Sequence, residues 1–482
     1  MTSSAAKIDA LVAWAVSHGA TLHPSVAIYH DAATGLSFRV QPSAPHPLPG
    51  DYASEPIVRL PAALSLSYLD AIRPGRAAGA PPPLASALLR AGLPPHVLGR
   101  LLLVREYLAG ASSFWYPYLH ALPQPEDAAA WLLPPFWDDD DAELLDGTNL
   151  EVGVARIRAD LRKELAAIEA AFRSADAPEE GGGEGDEPAS RGAVSRSFRP
   201  SLVLSDEQRQ QLPAGVGADD FSVLLPLFDI GNHDMTAPVR WERGADGTCA
   251  LRTGRAHQPG EQVFNNYSAK TNAELLLGYG FMIPPTAALH NDYVHVRKRG
   301  GGDGPTAASD EYLVSARPLR DASSILARGR LPSIAAGFDI SHADAITPAF
   351  QHVQPDMVWD IFTSLAPGDA SQRLIPVEGS DDDGEADRRR RLLLLTGRVT
   401  GACLPYFAQT AAVIQNKVLQ ELERLQETDV EVGEADRARL TPCQALALEY
   451  RDRCRAVLES TLESMHSDET LAAAMEAMGQ EE

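Results

Sequence analysis

The segment from Phe221 to Phe281 limits the possible folds more than any other part of this chain. It opens with FSVLLPLFDIGNHDM and closes with GEQVFNNYSAKTNAELLLGYGF. FSVLLPLF is an apolar run of strand length, and it leads into DIGNHD. There Asp229, Asn232 and His233 stand in a turn-rich context whose side chains and backbone groups can point into a cleft. In QVFNNY, β alternation puts Val263, Asn265 and Tyr267 on one face and Phe264 and Asn266 on the other, with Tyr267 at the strand's end. A short helix follows. Asn272 is its expected cap, Glu274 lies in the first turn where a negative charge suits the dipole, and Gly280 stops it.

Taken one at a time these residues are ordinary. An Asn-His pair is most simply a satisfied turn, and a strand Tyr is most simply a core aromatic with its hydroxyl bonded. No second ligand stands at helical or hairpin spacing from His233, so a metal site is disfavoured. The local reading leaves open why Tyr279 and Phe281 straddle the helix stop.

The rest of the chain supplies a mixed context. A length of 482 residues suits two domains, each large enough for its own core. Ala5 to Ala15 reads as an amphipathic helix with Ile8, Leu11, Val12 and Ala15 on one face. From His23 to Ser67, alternation around Val26, Ile28, Phe38 and Val40 predicts short strands joined by Pro/Gly turns. From Ala71 the pattern turns helical, through LASALLRAGL, HVLGRLLLVREYL and LEVGVARIRADLRKELAAIEAAF. DAPEEGGGEGDEPAS, residues 176–190, is too polar to order itself and reads as a surface loop. Strands resume at FSVLLPLF, QVFNNY and NDYVHVRKR, and the Gly-rich joint at 300–305 is the expected domain boundary. Beyond it the chain reads as helical, with stripes Ile414, Val418, Leu422, Leu425 and Tyr450, Cys454, Val457, Leu458, Leu462 forming an internal core.

Composition narrows the partners. A formal charge of −24 disfavours nucleic acid, whose phosphates draw on clustered positive charge. Much of the acid falls in stretches that read as solvated loops, Asp138 to Asp141, Glu179 to Glu187 and Asp381 to Asp387, so the charge is only a weak pointer to a basic protein partner. The four cysteines show no disulfide framework and no zinc spacing. No apolar run is long enough to span a bilayer, and a monomeric protein of the cytoplasm or nucleus is expected.

In order, NH followed by GEQVxxxYxxKxNxELLxxYGF resembles the C-terminal half of a SET domain of the Rubisco large-subunit methyltransferase type. The segments ATGLSFRV, RLPAALSLS, SSFWYPYLHALP and VSRSF extend the resemblance over most of the chain. It implies an α+β class: a SET β-fold with a pseudoknot-like site, a helical insert and an all-helical C-terminal domain. The implied parts are 1–22 an N-terminal helix, 23–70 and 194–299 the two SET parts, 71–193 the insert, and 306–482 a substrate-binding lobe. The implied cofactor is S-adenosylmethionine. Leu36 and Phe38 would contact it through backbone groups, Arg196 would pair with its carboxylate, Asn232 would hold the methionyl part and the His233 backbone the adenine. Tyr279 and Phe281 would wall it, Phe198, Asp229 and Tyr279 would line the substrate channel, and the Tyr267 hydroxyl would sit beside the methyl as the catalytic group. Ser37 stands where the family often carries Gly.

The implied activity is protein-lysine N-methylation, with ribosomal or translation-associated proteins as the expected targets. Two alternatives stay open. A related branch methylates histidine, although Phe198 and Tyr279 look like the lysine-directed pattern. A SET-fold adaptor without catalysis is the other, against which the joint presence of Arg196, Asn232, His233 and Tyr267 speaks.

Overall fold

Pro and Gly punctuation cuts the β regions of this chain into short strands, and the Ala/Leu-rich stretches between them coil into helices. The computed structural model describes residues 4–31, 34–74, 79–126, 131–175, 197–244, 247–297, 311–325, 346–366, 370–377, 383–399, 401–433 and 437–479. The expected loop 176–190, the joint 300–305 and Arg196 lie outside the described residues. The chain divides into two units, Met1–Ala130 with Ala159–Ser268, and Trp131–Arg158 with Ala269–Glu482.

In the first unit the strands are β1 (Thr21–Leu22), β2 (Val26–Asp31), β3 (Gly35–Val40), β4 (Val58–Pro61), β5 (Leu66–Ser67), β6 (Ser197–Phe198), β7 (Val223–Leu224), β8 (Val239–Arg243), β9 (Thr248–Thr253) and β10 (Gln262–Val263). They form three small antiparallel sheets in the orders β1-β4-β9-β8, β10-β3-β2 and β5-β7-β6. Along β3, Phe38 and Val40 are fully buried as alternation predicts, and Ser37 on the other face is buried as well. The helix Ser4–Ser17 buries Ile8, Leu11 and Ala15 on one face, with Val12 half-buried beside them. The helix Pro95–Leu108 starts on a Pro whose missing N–H costs nothing in the first turn, and it buries Val97, Leu98, Leu102 and Leu103.

Two of the sequence segments are tied directly to each other. Trp115 of SSFWYPYLHALP is buried and donates its indole N–H to the Leu64 carbonyl of RLPAALSLS at 3.1 Å. Tyr118, three residues on, donates its hydroxyl to Asp229 Oδ2 at 2.7 Å. Both bonds satisfy polar atoms that would otherwise be buried bare.

The second unit differs from an all-helical lobe. Strands β11 (Tyr293–Arg297) and β12 (Glu311–Ser315) pair antiparallel from Tyr293 with Ser315 to Arg297 with Glu311. The Gly-rich joint therefore connects two paired strands, and the division between units falls instead at Ser268 and Ala269. Helices Leu404–Glu427 and Pro442–His466 bury the stripes read from the sequence, including Ile414, Val418, Leu422, Leu425, Tyr450, Cys454 and Val457. The second of these helices starts from a Thr441/Gln444 capping box. Arg451 is 1% exposed and lays its guanidinium among carbonyls, donating to Leu425 O at 2.7 Å and Leu144 O at 3.2 Å.

His290 is buried in the second unit beside Tyr293, with ring centroids 5.1 Å apart, and neither ring nitrogen has a partner among the described residues. Burial is the main cause holding its pKa down to about 4 from 6.5, helped by Arg317 and His352 and opposed by Asp292 and Asp321. The unfolded chain takes up this proton first, so the stability contributed by the neutral ring is complete above pH 6.5 and is lost as pH falls towards 4. Replacing His290 with Met should remove about 3 kcal/mol of pH-dependent stability. Urea midpoints measured from pH 7 to pH 4 should then fall less steeply in the variant than in the wild type. Parallel slopes would contradict this assignment.

Candidate active site

The site is built where two polar segments of the first unit run side by side. The segment Gly231–Asp234 and the segment Asn265–Tyr267 make a parallel bridge between His233 and Asn265. Its bonds run from the Asn265 N–H to the Asn232 carbonyl at 2.8 Å, and from the Asp234 N–H to the Asn265 carbonyl at 2.9 Å. Sequence alternation extends a strand through Tyr267, whereas β10 ends at Val263. The reason is chemical: Asn265 and Asn266 turn their side chains onto the backbone in competition with a ladder. Asn266 Nδ2 donates to Met235 O at 3.0 Å and Ala237 O at 3.2 Å, and Asn266 Oδ1 accepts the Ser268 N–H at 2.9 Å.

Asn265 is the residue that local reading missed. It has no exposed surface, and its Oδ1 accepts from Trp241 Nε1 at 3.1 Å and from the Asn266 N–H at 2.8 Å, while its Nδ2 donates to the Phe228 carbonyl at 3.2 Å. The signal available for it was polarity: an Asn is out of place on a strand face that also holds Val263, and a second Asn follows it on the other face. Gly231 is the second such residue. A Cβ there would lie 3.1 Å from the Phe38 ring and 3.2 Å from Asn265 Cβ, a tight fit that Gly relieves where the segment closes down on β3.

The predicted site residues divide as follows. Tyr267 is half-buried, donates its hydroxyl to the Gly231 carbonyl at 2.9 Å and its N–H to His233 Nδ1 at 3.0 Å, and stacks on the His233 ring. Asn232 is half-buried, and its Nδ2 donates to Thr34 Oγ1 at 2.9 Å, at the turn between β2 and β3. Asp229 is buried and takes the Tyr118 hydroxyl. Phe38 is wholly within the core, so only its backbone could meet a ligand. Leu36 is half-buried, and its backbone has a definite direction. The Val40 N–H and carbonyl both bond towards the turn before β10, at Glu261 O and Gly260 N. Antiparallel alternation turns Leu36 the same way, past the point where β10 has ended.

Phe198, on β6, packs edge-on against Trp241 with centroids 4.8 Å apart, which links it through Trp241 to Asn265. Tyr279 and Phe281 belong to the second unit, where their rings sit 6.3 Å apart and Lys270 Nζ lies 5.6 Å from the Tyr279 centroid. Burial and the Glu274 carboxylate raise the Tyr279 pKa above its ordinary value. The helix carrying Tyr279 corrects one expectation. Its cap is Thr271, which forms a capping box with Glu274, and Gly280 ends it at φ +76°. Asn272 is buried instead, with Nδ2 donating to Ile283 O at 3.0 Å and Asp292 Oδ1 at 2.7 Å. Thr and Asn both cap well and both are buried here, so bonding separates them: Thr271 Oγ1 accepts the Glu274 N–H, whereas the Asn272 amide turns to Ile283 and Asp292.

Backbone strain flanks both segments. Leu227, just before the first, has φ +71°, and Ser268, just after Tyr267, has φ +79°. Each costs about 1–3 kcal/mol in a residue with a Cβ, and it persists only where neighbouring bonds over-determine it. Replacing Asn265 with Ala should strip Trp241 Nε1, the Asn266 N–H and the Phe228 carbonyl of their partner, and destabilise the protein by about 2–4 kcal/mol. A urea midpoint shift with unchanged slope is the expected result. A shift near zero would show that the junction does not depend on this side chain.

No family model matches the chain. Among curated proteins, ribosomal lysine N-methyltransferase set10 of Schizosaccharomyces pombe is 28% identical over 213 residues, covering 42% of this chain and 35% of that protein. Ribosomal lysine N-methyltransferase 1 of Saccharomyces cerevisiae is 43% identical over 90 residues, 19% of this chain and 14% of that protein. The chain thus spans about a third of the first relative's length and less of the second's. Among solved structures, the SET domain of LSMT bound to lysine and AdoHcy superposes with a TM-score of 0.57 at 16% identity, covering 96% of this chain and 92% of that one. The chain therefore has the SET fold in its Rubisco large-subunit methyltransferase form, with a helical insert and a largely helical C-terminal region.

Proposed function

We propose that this protein is an S-adenosylmethionine-dependent protein-lysine N-methyltransferase whose substrate is a ribosomal or translation-associated protein. The observation that carries the reading is the held tyrosine. Tyr267 is half-buried, with its hydroxyl fixed on the Gly231 carbonyl and its amide on His233 Nδ1, one residue to either side of the Asn232 amide. The residues present fit the cofactor: Asn232 offers an amide near the surface, and Leu36 offers backbone groups beyond the end of β10. When bound, S-adenosylmethionine supplies a methyl carbon made electrophilic by the adjoining sulfonium.

The chain's own task is alignment. Displacement at such a carbon is in line, so catalysis consists mainly in fixing the nucleophile and the acceptor groups around the methyl. The Tyr267 hydroxyl donates its hydrogen bond to a carbonyl, and a hydroxyl oxygen can also accept weak C–H contacts. That arrangement suits orientation better than proton abstraction. A lysine amine must lose a proton that its free pKa of about 10.4 retains at neutral pH. Burial of the amine against aromatic rings beside positive charge lowers that value, which is the role we assign to Phe198 and Tyr267.

The similarity to two yeast ribosomal lysine methyltransferases supports both the lysine and the ribosomal part of this reading. An acidic chain of net charge −24 is compatible with a basic protein substrate. Four free, buried cysteines fit a reducing compartment, in keeping with a cytoplasmic or nuclear site of action.

Incubation of the purified protein with labelled S-adenosylmethionine and ribosomal or fractionated basic proteins tests the proposal. Methyllysine should appear in a substrate protein by mass spectrometry, and Tyr267→Phe should cut the rate at least about tenfold while cofactor binding persists. A wild-type protein that does not bind the cofactor would sink the enzyme reading. Methylhistidine in place of methyllysine would move the substrate class.

A further inference from the structure

The side chain of His233 has no part in holding an adenine through the backbone, yet it is one of the most constrained groups in the first unit. It is 8% exposed. Its Nδ1 accepts the Tyr267 N–H at 3.0 Å, so the ring proton of the neutral imidazole resides on Nε2. Its ring lies 4.9 Å from the Tyr267 ring at an interplanar angle of 12°. Gly231, two residues earlier, takes the Tyr267 hydroxyl. One short segment therefore grips the same tyrosine at its amide, its ring face and its hydroxyl.

Such a grip is needed because the chain leaves Tyr267 through Ser268 at φ +79°. A left-handed serine costs free energy and relaxes unless the residue before it is fixed. The Asn265 bridge fixes the chain two residues upstream, and the Asn266 amide fixes it one residue upstream. The Tyr267 hydroxyl and N–H bond to Gly231 and His233.

We infer that the His233 imidazole is a positioning residue for Tyr267, acting through an amide-to-Nδ1 hydrogen bond and ring stacking. It sets the backbone and ring plane of Tyr267, and so the place of the hydroxyl. The catalytic consequence rests on the methyl-transfer reading; the structural half does not. Displacing a group that aligns reactants by about 1 Å costs on the order of a hundredfold in rate.

Three variants separate the contributions. His233→Asn keeps an acceptor at the δ position, His233→Gln moves the acceptor one bond further out, and His233→Phe keeps the stacked ring without an acceptor. Amide hydrogen exchange at Tyr267, read by NMR or by overlapping peptides, should stay slow in the wild type and in His233→Asn. It should accelerate at least about tenfold in His233→Phe and His233→Gln. With S-adenosylmethionine, kcat should fall about ten- to a hundredfold in His233→Phe and His233→Gln and be largely retained in His233→Asn.

Unchanged exchange at Tyr267 in both His233→Phe and His233→Gln would overturn the inference. So would equal losses in His233→Asn and His233→Gln, two amides that differ only in where the acceptor stands, and this comparison holds even where His233→Phe fails to fold. A wild type that shows the exchange pattern but binds no cofactor would refute the methyl-transfer reading and leave the positioning role intact.

Discussion

Two irregular segments of chain cannot lie against each other inside a protein unless every N–H and carbonyl between them finds a partner. In this molecule that requirement is met largely by one fully buried asparagine. Asn265 uses its backbone to bridge Asn232 and Asp234, and its side chain to reach Trp241, Asn266 and Phe228. An apolar residue there would leave several buried polar groups bare, each costing about 1–3 kcal/mol. Around this junction the strained Leu227 and Ser268, the close-packed Gly231 and the stacked His233 and Tyr267 become tolerable.

Among the described residues, the groups bonded around Tyr267 are mostly neutral, which bears on the proposed function. Asp229 is buried against the Tyr118 hydroxyl, and the groups nearest Tyr267 are a carbonyl, an imidazole and amides. These are fixed dipoles that need no reorganisation when a reaction occurs, which is the general advantage of a preorganised polar site over water. The proposed chemistry asks for alignment more than for acid or base catalysis. A tyrosine held at three points suits that demand.

Much of this was legible in the sequence, for identifiable reasons. The core faces of the helices at Ser4–Ser17, Leu404–Glu427 and Pro442–His466 follow periodicity, because burial of an apolar stripe dominates their energetics. Asn232, His233 and Tyr267 were named through the order of the motifs, and the chain brings those three together. What was not legible depends on long-range partners. Asn265 looked like one more strand residue because its role comes from Trp241 and Phe228, 24 and 37 positions away. The Thr271 cap was hidden by its neighbour Asn272, which prefers a buried link to Asp292. The Gly-rich joint read as a domain boundary because composition does not reveal that β11 and β12 pair across it.

In the proposed function, β3, the Asn232–His233 segment and the Asn265–Tyr267 segment form one cofactor surface. Hydrogen–deuterium exchange of the wild-type protein with and without saturating S-adenosylmethionine tests it most directly. Protection on binding is expected in peptides covering Thr34–Phe38, Gly231–Asp234 and Phe264–Ser268 together. Binding that protects other regions and leaves these three unchanged would contradict it.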